Sequence, residues 1–310
     1  MKILQRIVWR LVAGLGVLWG AATLTFVMVN LTGGDTAIAI LGGPDALPTP
    51  EVLAQVRNEY GLNDSLPEQY LHYIGRLALG DLGESYRLHI PVLDAISQQI
   101  GATFELAASA AALAVVLAVL AALLTARRTD WVRSLSSGSE LVVSSVPSFV
   151  LGILLLLGFS FRLHLFPASG SQGWKSLVLP ALALALPISA VLAQVLRQEL
   201  EDVLEQPFII TARARGMSES GVRLRHALRH AMIPLVTLSG FIFASLLGGA
   251  VIAETLFARQ GVGRLMVDAA ISKDVPLVLG ITLLAASIYV VVNLVVDLVY
   301  TLIDPRVVAA

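Results

Sequence analysis

Residues 181–253 read ALALALPISAVLAQVL (181–196), RQELEDVLEQPFIITARARGMSESGVRLRHALRH (197–230) and AMIPLVTLSGFIFASLLGGAVIA (231–253). The first and last runs carry no charged residue, whereas the charged segment, residues 197–230, holds six arginines, two histidines and five acidic residues. A helix crosses the hydrocarbon core with about 20 mainly apolar residues, and charges are costly inside that core. The pattern predicts two membrane spans joined by a compact polar segment outside the membrane, where a docking surface is expected.

The composition of the whole chain is that of a membrane protein. Hydrophobic residues make up 56% of the 310 residues and charged residues 14%, and the mean hydropathy is +0.81, outside the usual range of soluble domains. The segments that can span a bilayer are residues 11–31, 101–126, 141–161, 176–196, 231–257 and 276–303. The sequence therefore predicts an all-α polytopic membrane protein with six transmembrane helices. Because the chain has no cysteine, disulfides, cysteine-ligated metals and thiol catalysis are excluded.

Three regions follow from these spans. Residues 1–31 form an N-terminal segment and the first transmembrane helix, which we expect to stay uncleaved because no A-x-A site follows it at the right place. Residues 32–98 form an extracytoplasmic loop or cap. Residues 99–305 form a five-helix transmembrane core that contains the charged segment.

The loop at residues 32–98 is expected to fold. Thr49-Pro50-Glu51 has the composition of a helix start, and a second helix is expected from Pro67 to just before Gly80. One face of that second helix carries Tyr70, Ile74 and Leu77. Such an amphipathic pattern favours a packed cap over a dedicated ligand site.

The basic residues indicate the orientation. If both termini lie in the cytoplasm, so do 13 of the 21 lysines and arginines. They are Lys2, Arg6, Arg10, Arg127, Arg128, Arg133, Arg197, Arg213, Arg215, Arg223, Arg225, Arg229 and Arg306. Because cytoplasmic loops carry an excess of lysine and arginine, both termini and residues 197–230 are expected in the cytoplasm.

Several residues in the spans predict bending or close helix packing. A proline frees a backbone carbonyl and permits a kink, and a glycine pair allows close approach. The hinge candidates are Pro147, Pro180, Pro187, Pro234, Gly248 and Gly249.

A polar stripe runs along the last span. Asn293, Asp297 and Thr301 recur every four residues, and Asp304 returns to nearly the same face. A stripe of this kind must face protein or water rather than lipid. A structural network near the cytoplasmic interface is favoured over contact with a substrate, since Asp297 lies about two turns from the end of its span. Both roles stay open.

Two short helices are predicted within the charged segment. Pro207 can begin the first, and Gly216 suits its C-terminal turn. The apolar side of this helix is formed by Phe208, Ile209 and Ala212. Ser218 can cap the second helix. A short helix with small central residues and flanking arginines suits a groove on another protein, although a solvated basic loop has the same composition.

Specific strings distinguish these alternatives. Thr211-Ala212-Arg213-Ala214-Arg215-Gly216, followed by Arg225-His226-Ala227-Leu228-Arg229 and Pro234, closely resembles the cytoplasmic coupling-loop motif of ABC-importer permeases, in particular the dipeptide/oligopeptide/nickel branch. Further strings in that family's order are Gly80-Asp81-Leu82-Gly83-Glu84-Ser85-Tyr86-Arg87, Pro167-Ala168-Ser169-Gly170, Glu254-Thr255-Leu256-Phe257, Gly261-Val262-Gly263-Arg264-Leu265 and Asp304-Pro305-Arg306. The resemblance therefore extends over nearly the whole chain.

The chain departs from that branch at two places. His230 stands where the branch usually has asparagine; it lies at the membrane edge and should not abolish coupling. Arg259-Gln260 stands where the branch has Trp-Pro. This second change alters the outer rim, where a binding protein would dock, and weakens any assignment of substrate by analogy.

The resemblance implies a type I importer-like permease fold and a subunit of an ATP-driven, binding-protein-dependent importer in a bacterial inner membrane. The implied partners are a paralogous second permease subunit, two cytoplasmic ATP-binding subunits and an extracytoplasmic solute-binding protein. ATP and Mg would be bound by the ATPase subunits, and this chain is expected to hold no cofactor, metal or catalytic residue; no G-x-x-x-x-G-K-[ST] loop occurs in it. The implied ATPase-coupling residues are Pro207, Phe208, Thr211, Ala212, Arg213, Ala214, Arg215 and Gly216.

Two other functions remain as alternatives. An ion-coupled secondary transporter would be expected to show repeat symmetry and ionisable groups near the midplane, whereas the acids here cluster at span ends. An intramembrane serine protease would need a histidine at depth, but the five histidines lie in loops or at boundaries: His72, His89, His164, His226 and His230. The substrate stays open among peptides, nickel or metal chelates and glutathione-like compounds, as does the choice between a heteromeric and a homodimeric permease.

Overall fold

The computed structural model describes residues 2–31, 35–41 and 48–303, which are mostly helical. The α-helices are α1 (Lys2–Leu31), α2 (Thr36–Ile40), α3 (Pro50–Glu59), α4 (Leu66–Ala78), α5 (Val92–Thr125), α6 (Asp130–Ser145), α7 (Ser148–Leu155), α8 (Lys175–Leu204), α9 (Pro207–Ala214), α10 (Glu219–Gly221), α11 (Leu228–Ala231), α12 (Ile233–Leu256), α13 (Val262–Ile271) and α14 (Val275–Ile303). Two π-helical segments are Leu156–Arg162 and Val222–Ala227. In these ranges extended pairing is limited to an isolated bridge between Glu84 and Pro91.

Among the described residues, three helices are long and apolar enough to cross a membrane: α5, α8 and Val275–Val296 of α14. The bent pair of α6 and Ser148–Arg162 makes a fourth if it counts as one span. Shorter apolar stretches, Val12–Met28 and Ser245–Leu256, lie in α1 and α12. The predicted apolar segments therefore lie on helices, while their number as membrane spans stays a prediction.

The span predicted at residues 141–161, with Pro147 as a hinge candidate, has its helix broken near its start. α6 ends at Ser145, and the helical segments before and after the break are bent by 100°. Pro147 caps α7 in an extended conformation, and Val146 before it is also extended. Proline disfavours the helical conformation at the preceding residue and cannot donate a backbone hydrogen bond, so the helix stops there.

Packing divides the chain into two compact units. The first unit is Met1–Ala102 with Gln260–Leu294, and the second is Thr103–Arg259 with Val295–Ala310.

The first unit contains the two predicted loop helices. α3 begins at Pro50 after an extended Thr49, and α4 runs over Leu66–Ala78. The stripe on α4 packs loosely, since Tyr70, Ile74 and Leu77 are all half-buried. Phe26 of α1 stacks on Tyr73 of α4 with ring centroids 5.8 Å apart. Both helix predictions are confirmed within the described part of the loop.

A buried aspartate also organises the first unit. The Asp274 carboxylate accepts hydrogen bonds from Ser85 Oγ (2.5 Å), the Arg87 backbone N–H (3.2 Å) and the Leu277 backbone N–H (3.3 Å). The last of these is an N-cap bond at the start of α14. Asp274 thus joins the loop around Ser85 to the start of this helix. Burial, together with the nearby Asp274 carboxylate, raises the pKa of Tyr86 to about 12.

Residues of α5 and α8 share the main hydrophobic core of the second unit. Buried residues recur every four positions along α5 and just past its end: Leu106, Ala110, Ala114, Ala118, Ala122 and Ala126. They share a core with buried residues of α8, among them Leu192, Leu196 and Leu200. Small side chains of this kind are common where helices pack within membranes, because lipid offers no hydrophobic drive for association.

The glycine pair of α12 provides a matched test of close packing. A Cβ on Gly249 would lie 2.6 Å from Leu184 Cδ2 of α8, whereas a Cβ on Gly248 would meet no heavy atom within 4 Å. We expect Gly249→Val to destabilise the assembled complex by ~1–3 kcal/mol, because overpacking forces neighbouring side chains to shift. We expect Gly248→Val to stay within about 0.5 kcal/mol. Thermal unfolding of the purified complex measures both, and equal melting temperatures for the two variants would contradict this account of the α8–α12 contact.

The other hinge candidates fall at different kinds of position. α8 continues through Pro180 and Pro187, and Pro234 lies in the first turn of α12. Of the polar stripe, Asn293 donates to the Tyr289 carbonyl at 3.0 Å. The side chains of Asp297 and Thr301, and the whole of Asp304-Pro305-Arg306, lie outside the described residues.

Candidate functional site

The charged segment folds into the end of α8, then α9, α10, the π-helical segment and α11. As predicted, α9 begins at Pro207, after an extended Gln206. Pro207 suits this position because the first N–H of a helix has no partner within it. A short helix of eight residues therefore follows α8 directly.

α9 has a buried face and an exposed face. Ile209 and Ala212, three residues apart, are 0% and 9% exposed and belong to the core of the second unit. The opposite face is exposed and consists of Pro207, Ile210, Thr211 and Ala214. The helix is therefore anchored to its own chain on one side and free on the other.

This arrangement separates the two alanines that the sequence places together. Ala214 lies on the exposed face, whereas Ala212 packs inside this chain. Ile210, which is not among the coupling residues predicted from the sequence, is 61% exposed. The spacing of Pro207, Thr211 and Ala214 by four and then three residues places them on one side of the helix with Ile210, but only the position of the core shows that this side is free.

The C-terminal end of α9 is a Schellman motif centred on Gly216. The Gly216 N–H donates to the Arg213 carbonyl (2.9 Å), and the Met217 N–H donates to the Ala212 carbonyl (3.3 Å). Gly216 has φ +81°, in the left-handed region that disfavours a Cβ. The predicted role of Gly216 in the turn is confirmed.

Arg213 makes an ion pair within the segment. Its Nε lies 2.7 Å from Glu219 Oε1, and the bond lowers the pKa of Glu219 and raises the pKa of Arg213. Arg215, in contrast, is exposed at the helix C-cap. The pair ties the end of α9 to α10.

The rest of the segment turns back towards the start of α9. Ser218 accepts a hydrogen bond from the Gly221 N–H at 3.3 Å and caps α10, as predicted. The predicted second helix is not regular, since Val222–Ala227 is π-helical. Phe208 packs against His230 with ring centroids 5.1 Å apart. π-Helical turns are rare in proteins as a whole, and those that do occur often lie at functional sites.

A buried ion pair lies at the end of α8, and it is not among the contacts predicted from the sequence. Arg197 contacts Glu140 of α6, with side chains 5% and 9% exposed. Arg197 Nη1 also donates to Thr125 Oγ1 at 3.1 Å. An open groove of about 340 Å³ beside the pair is lined by residues of α6 and α8. The only hint in the sequence is that Glu140 is an acid at the very edge of an apolar run.

A second polar cluster lies at the opposite end of α5. Arg259 is 1% exposed and donates to Glu105 at 2.5 Å. Thr103 Oγ1 donates to the buried Glu254 at 2.6 Å. The unusual Arg259 is therefore packed within this unit and is not a free side chain on the outer rim.

Among the described residues, no group of three or more histidines and acids is placed to hold a metal ion.

Comparisons with known proteins agree on one family. Residues 97–309 match the family described as "binding-protein-dependent transport system inner membrane component". Residues 3–107 match the family of the N-terminal region of such membrane components. A protein of Brucella abortus (strain 2308), named a peptide transport system permease protein, is 38% identical over 295 residues, covering 92% of this chain and 93% of its own length. The glutathione transport system permease protein GsiC of Escherichia coli (strain K12) is 36% identical over 306 residues, which cover 98% of this chain and 99% of its own length.

Proposed function

Because the chain belongs to the family of binding-protein-dependent transport system inner membrane components, we propose that it forms half of the translocation pathway of an ATP-driven importer. It is a transport subunit without catalysis of its own. The other half of the pathway is a paralogous permease subunit, and two cytoplasmic subunits bind ATP and Mg. A solute-binding protein delivers the substrate from outside.

The observation that carries the proposal is the two-sided α9. Its inner face is packed into the core through Ile209 and Ala212, and its outer face presents the apolar, solvent-exposed Ile210 in an otherwise charged segment. A short amphipathic helix of this kind fits a groove on a partner protein. We propose that the ATPase holds this face, so that closure of the ATPase pair moves α9 and the helices attached to it.

We also propose that the chain crosses the membrane six times and that both of its termini lie in the cytoplasm. The six spans are α1, α5, the α6 to Arg162 pair, α8, α12 and α14, with the N-terminal and C-terminal ends in the cytoplasm of a bacterial cell. The 13 basic residues assigned to the cytoplasmic side support this orientation.

The natural absence of cysteine gives a direct test of orientation. We expect Ser218→Cys, at an exposed position in the charged segment, to react with a membrane-impermeant maleimide only after the cells are permeabilised. Asn63→Cys, exposed in the outer loop, should react in intact cells. Labelling of Ser218→Cys in intact cells at the rate of Asn63→Cys would reverse the orientation.

The substrate class is proposed from the relatives. Their names refer to peptide transport and to glutathione, which is itself a tripeptide derivative. We propose a short peptide or a glutathione-like compound, with selectivity set mainly by the solute-binding protein. Nickel or a metal chelate is less favoured.

Reconstitution tests the function as a whole. Proteoliposomes holding both permeases and the ATPases, with the solute-binding protein outside, should take up a labelled dipeptide or glutathione only when ATP is supplied to the ATPase side. Uptake that follows an ion gradient and ignores ATP would identify a secondary transporter. Full activity without the second permease would show a homodimeric pathway.

A further inference from the structure

One face of α8 carries charged side chains just before α9. Arg197, Glu201 and Glu205 are spaced four residues apart and so lie on the same side of the helix end. Each contacts an opposite charge in the α5–α6 segment, residues 118–145. The pairs are Arg197–Glu140, Arg133–Glu201 (3.2 Å) and Arg127–Glu205 (3.3 Å).

The three pairs differ in their surroundings. Arg197 and Glu140 are buried, and Arg197 also holds Thr125 at the end of α5. These contacts bring α5, α6 and α8 together at one point. In the other two pairs at least one side chain is largely exposed to solvent. Exposed pairs contribute little to stability, so the buried pair is the one that defines the geometry.

The stability that the Arg197–Glu140 pair contributes does not by itself explain why two charges are buried here. Two buried charges lose their hydration, and apolar side chains of similar size often hold helices together as well or better. The directional contacts do something that an apolar contact does not, because a guanidinium with two partners admits one register of α8 against α5 and α6. The pair therefore specifies position.

This point lies directly upstream of α9. Leu200 and Leu204, on the turns of α8 that follow Arg197, share a core with Ile209 and Ala212 of α9. α9 and the end of α8 therefore pack as one body. On the other side, α6 ends at the sharp bend before Pro147. A displacement of α9 therefore also moves Arg197 at the end of α8. Glu140 and α6 can follow this movement if α6 turns at the bend before Pro147.

We propose that Arg197 and Glu140 form a register lock that makes the α5–α6 segment follow α8 when the ATPase moves α9. The inference rests on the proposed function. The two residues are positioning residues, which touch neither ATP nor the substrate. Without the lock, ATP hydrolysis continues and α8 slips against α6, so that less substrate is moved per ATP hydrolysed.

The test is the ratio of uptake to ATP hydrolysis in proteoliposomes with the complete complex. The double variant Glu140→Met with Arg197→Met keeps the volume and removes both charges, and it should assemble at the wild-type yield. We expect its uptake per ATP to fall about tenfold, within the usual range of coupling between sites. Arg133→Gln, which breaks an exposed pair of the same row, should keep the ratio within about twofold.

Spin labels give a second readout that does not depend on transport. Ser134→Cys on α6 and Gln198→Cys on α8 are exposed positions in a chain without other cysteines. With the lock intact, the distance between the labels should be the same in the nucleotide-free and the vanadate-trapped complex. In the double methionine variant it should differ between the two states.

The outcomes separate the lock from the transport function. Wild-type complex that fails to transport with ATP overturns the proposed function. If the wild type transports, an unchanged uptake-to-ATP ratio and an unchanged label distance in the methionine variant overturn the lock. If that variant does not assemble, Arg197→Lys decides, since it keeps the charge and loses the planar fork: a lowered ratio at normal yield supports the lock, and a wild-type ratio overturns it.

Discussion

Gly216→Val is expected to abolish most ATP-driven uptake while the protein is still made and inserted. Gly216 has φ +81°, and no heavy atom lies within 4 Å of a Cβ built there. The cost is therefore in the backbone alone, at ~1–3 kcal/mol for a left-handed β-branched residue. Relief of that strain would unwind the Schellman motif at the end of α9. A contact weakened by this amount corresponds to roughly a tenfold loss or more of uptake and of stimulated ATP hydrolysis.

Gly216→Asn is the matched control, because asparagine adopts the left-handed conformation far more readily than valine. It should keep most of the activity, with Gly216→Ala between the two. Insertion should be normal in all three variants, since it depends on the apolar segments. Wild-type uptake by a well-assembled Gly216→Val complex would show that the end of α9 is not a coupling contact.

The exposed face of α9 can be tested separately through Ile210. Ile210→Glu places a charge on the free face without entering the core, and it should weaken ATPase association. Ala212→Glu is a poorer probe than the sequence suggests. Because Ala212 is buried within this chain, a carboxylate there would destabilise the fold of this subunit, and a loss of ATPase binding could not be separated from that effect.

Asp274→Ala is expected to loosen the loop around Ser85 and Arg87 by about 3 kcal/mol. It removes an N-cap and leaves Ser85 Oγ and two backbone N–H groups without their acceptor. The loop around Arg87 should then open more often, because local stability governs such openings. Tryptic cleavage after the exposed Arg87 should rise by roughly one to two orders of magnitude in the assembled complex.

Asp81→Ala is the control for this prediction. Asp81 is a carboxylate of the same loop that is 53% exposed and pairs with Arg76 at 2.8 Å. The hydrogen bond from Arg76 lowers the pKa of Asp81, but an exposed pair contributes little, so cleavage should change by about twofold at most. Equal protease sensitivity of Asp274→Ala and the wild type would show that Asp274 does not hold the loop.

Several local features followed from the sequence because they depend on near neighbours. Pro207, Gly216 and Ser218 marked the start, the end and the next cap of the short helices of the charged segment, and the structure has all three. Proline at a first turn, glycine with positive φ and a serine cap are set by backbone conformation within a few residues. The family could be read for a similar reason, since its motifs are continuous strings.

Other features depended on which helices meet, and the sequence could not provide this. The break before Pro147 was foreseen as a hinge candidate, but the 100° bend was not, because kinked and broken helices have the same composition. Arg197 looked like one more cytoplasmic arginine, and only the packing of α6 on α8 buries it against Glu140, 57 residues away in the chain.

The sequence by itself thus determined that this is a helical membrane permease with a short helix in its charged segment, because hydropathy, caps and motifs are local properties of the chain. The tertiary structure alone decided which face of that helix is free and which arginine is buried. The burial of a side chain depends on which other helices pack against it, and the sequence of one helix does not specify these neighbours. Ala212 and Ala214 are the same residue type two positions apart, yet Ala212 is buried in the core and Ala214 is exposed.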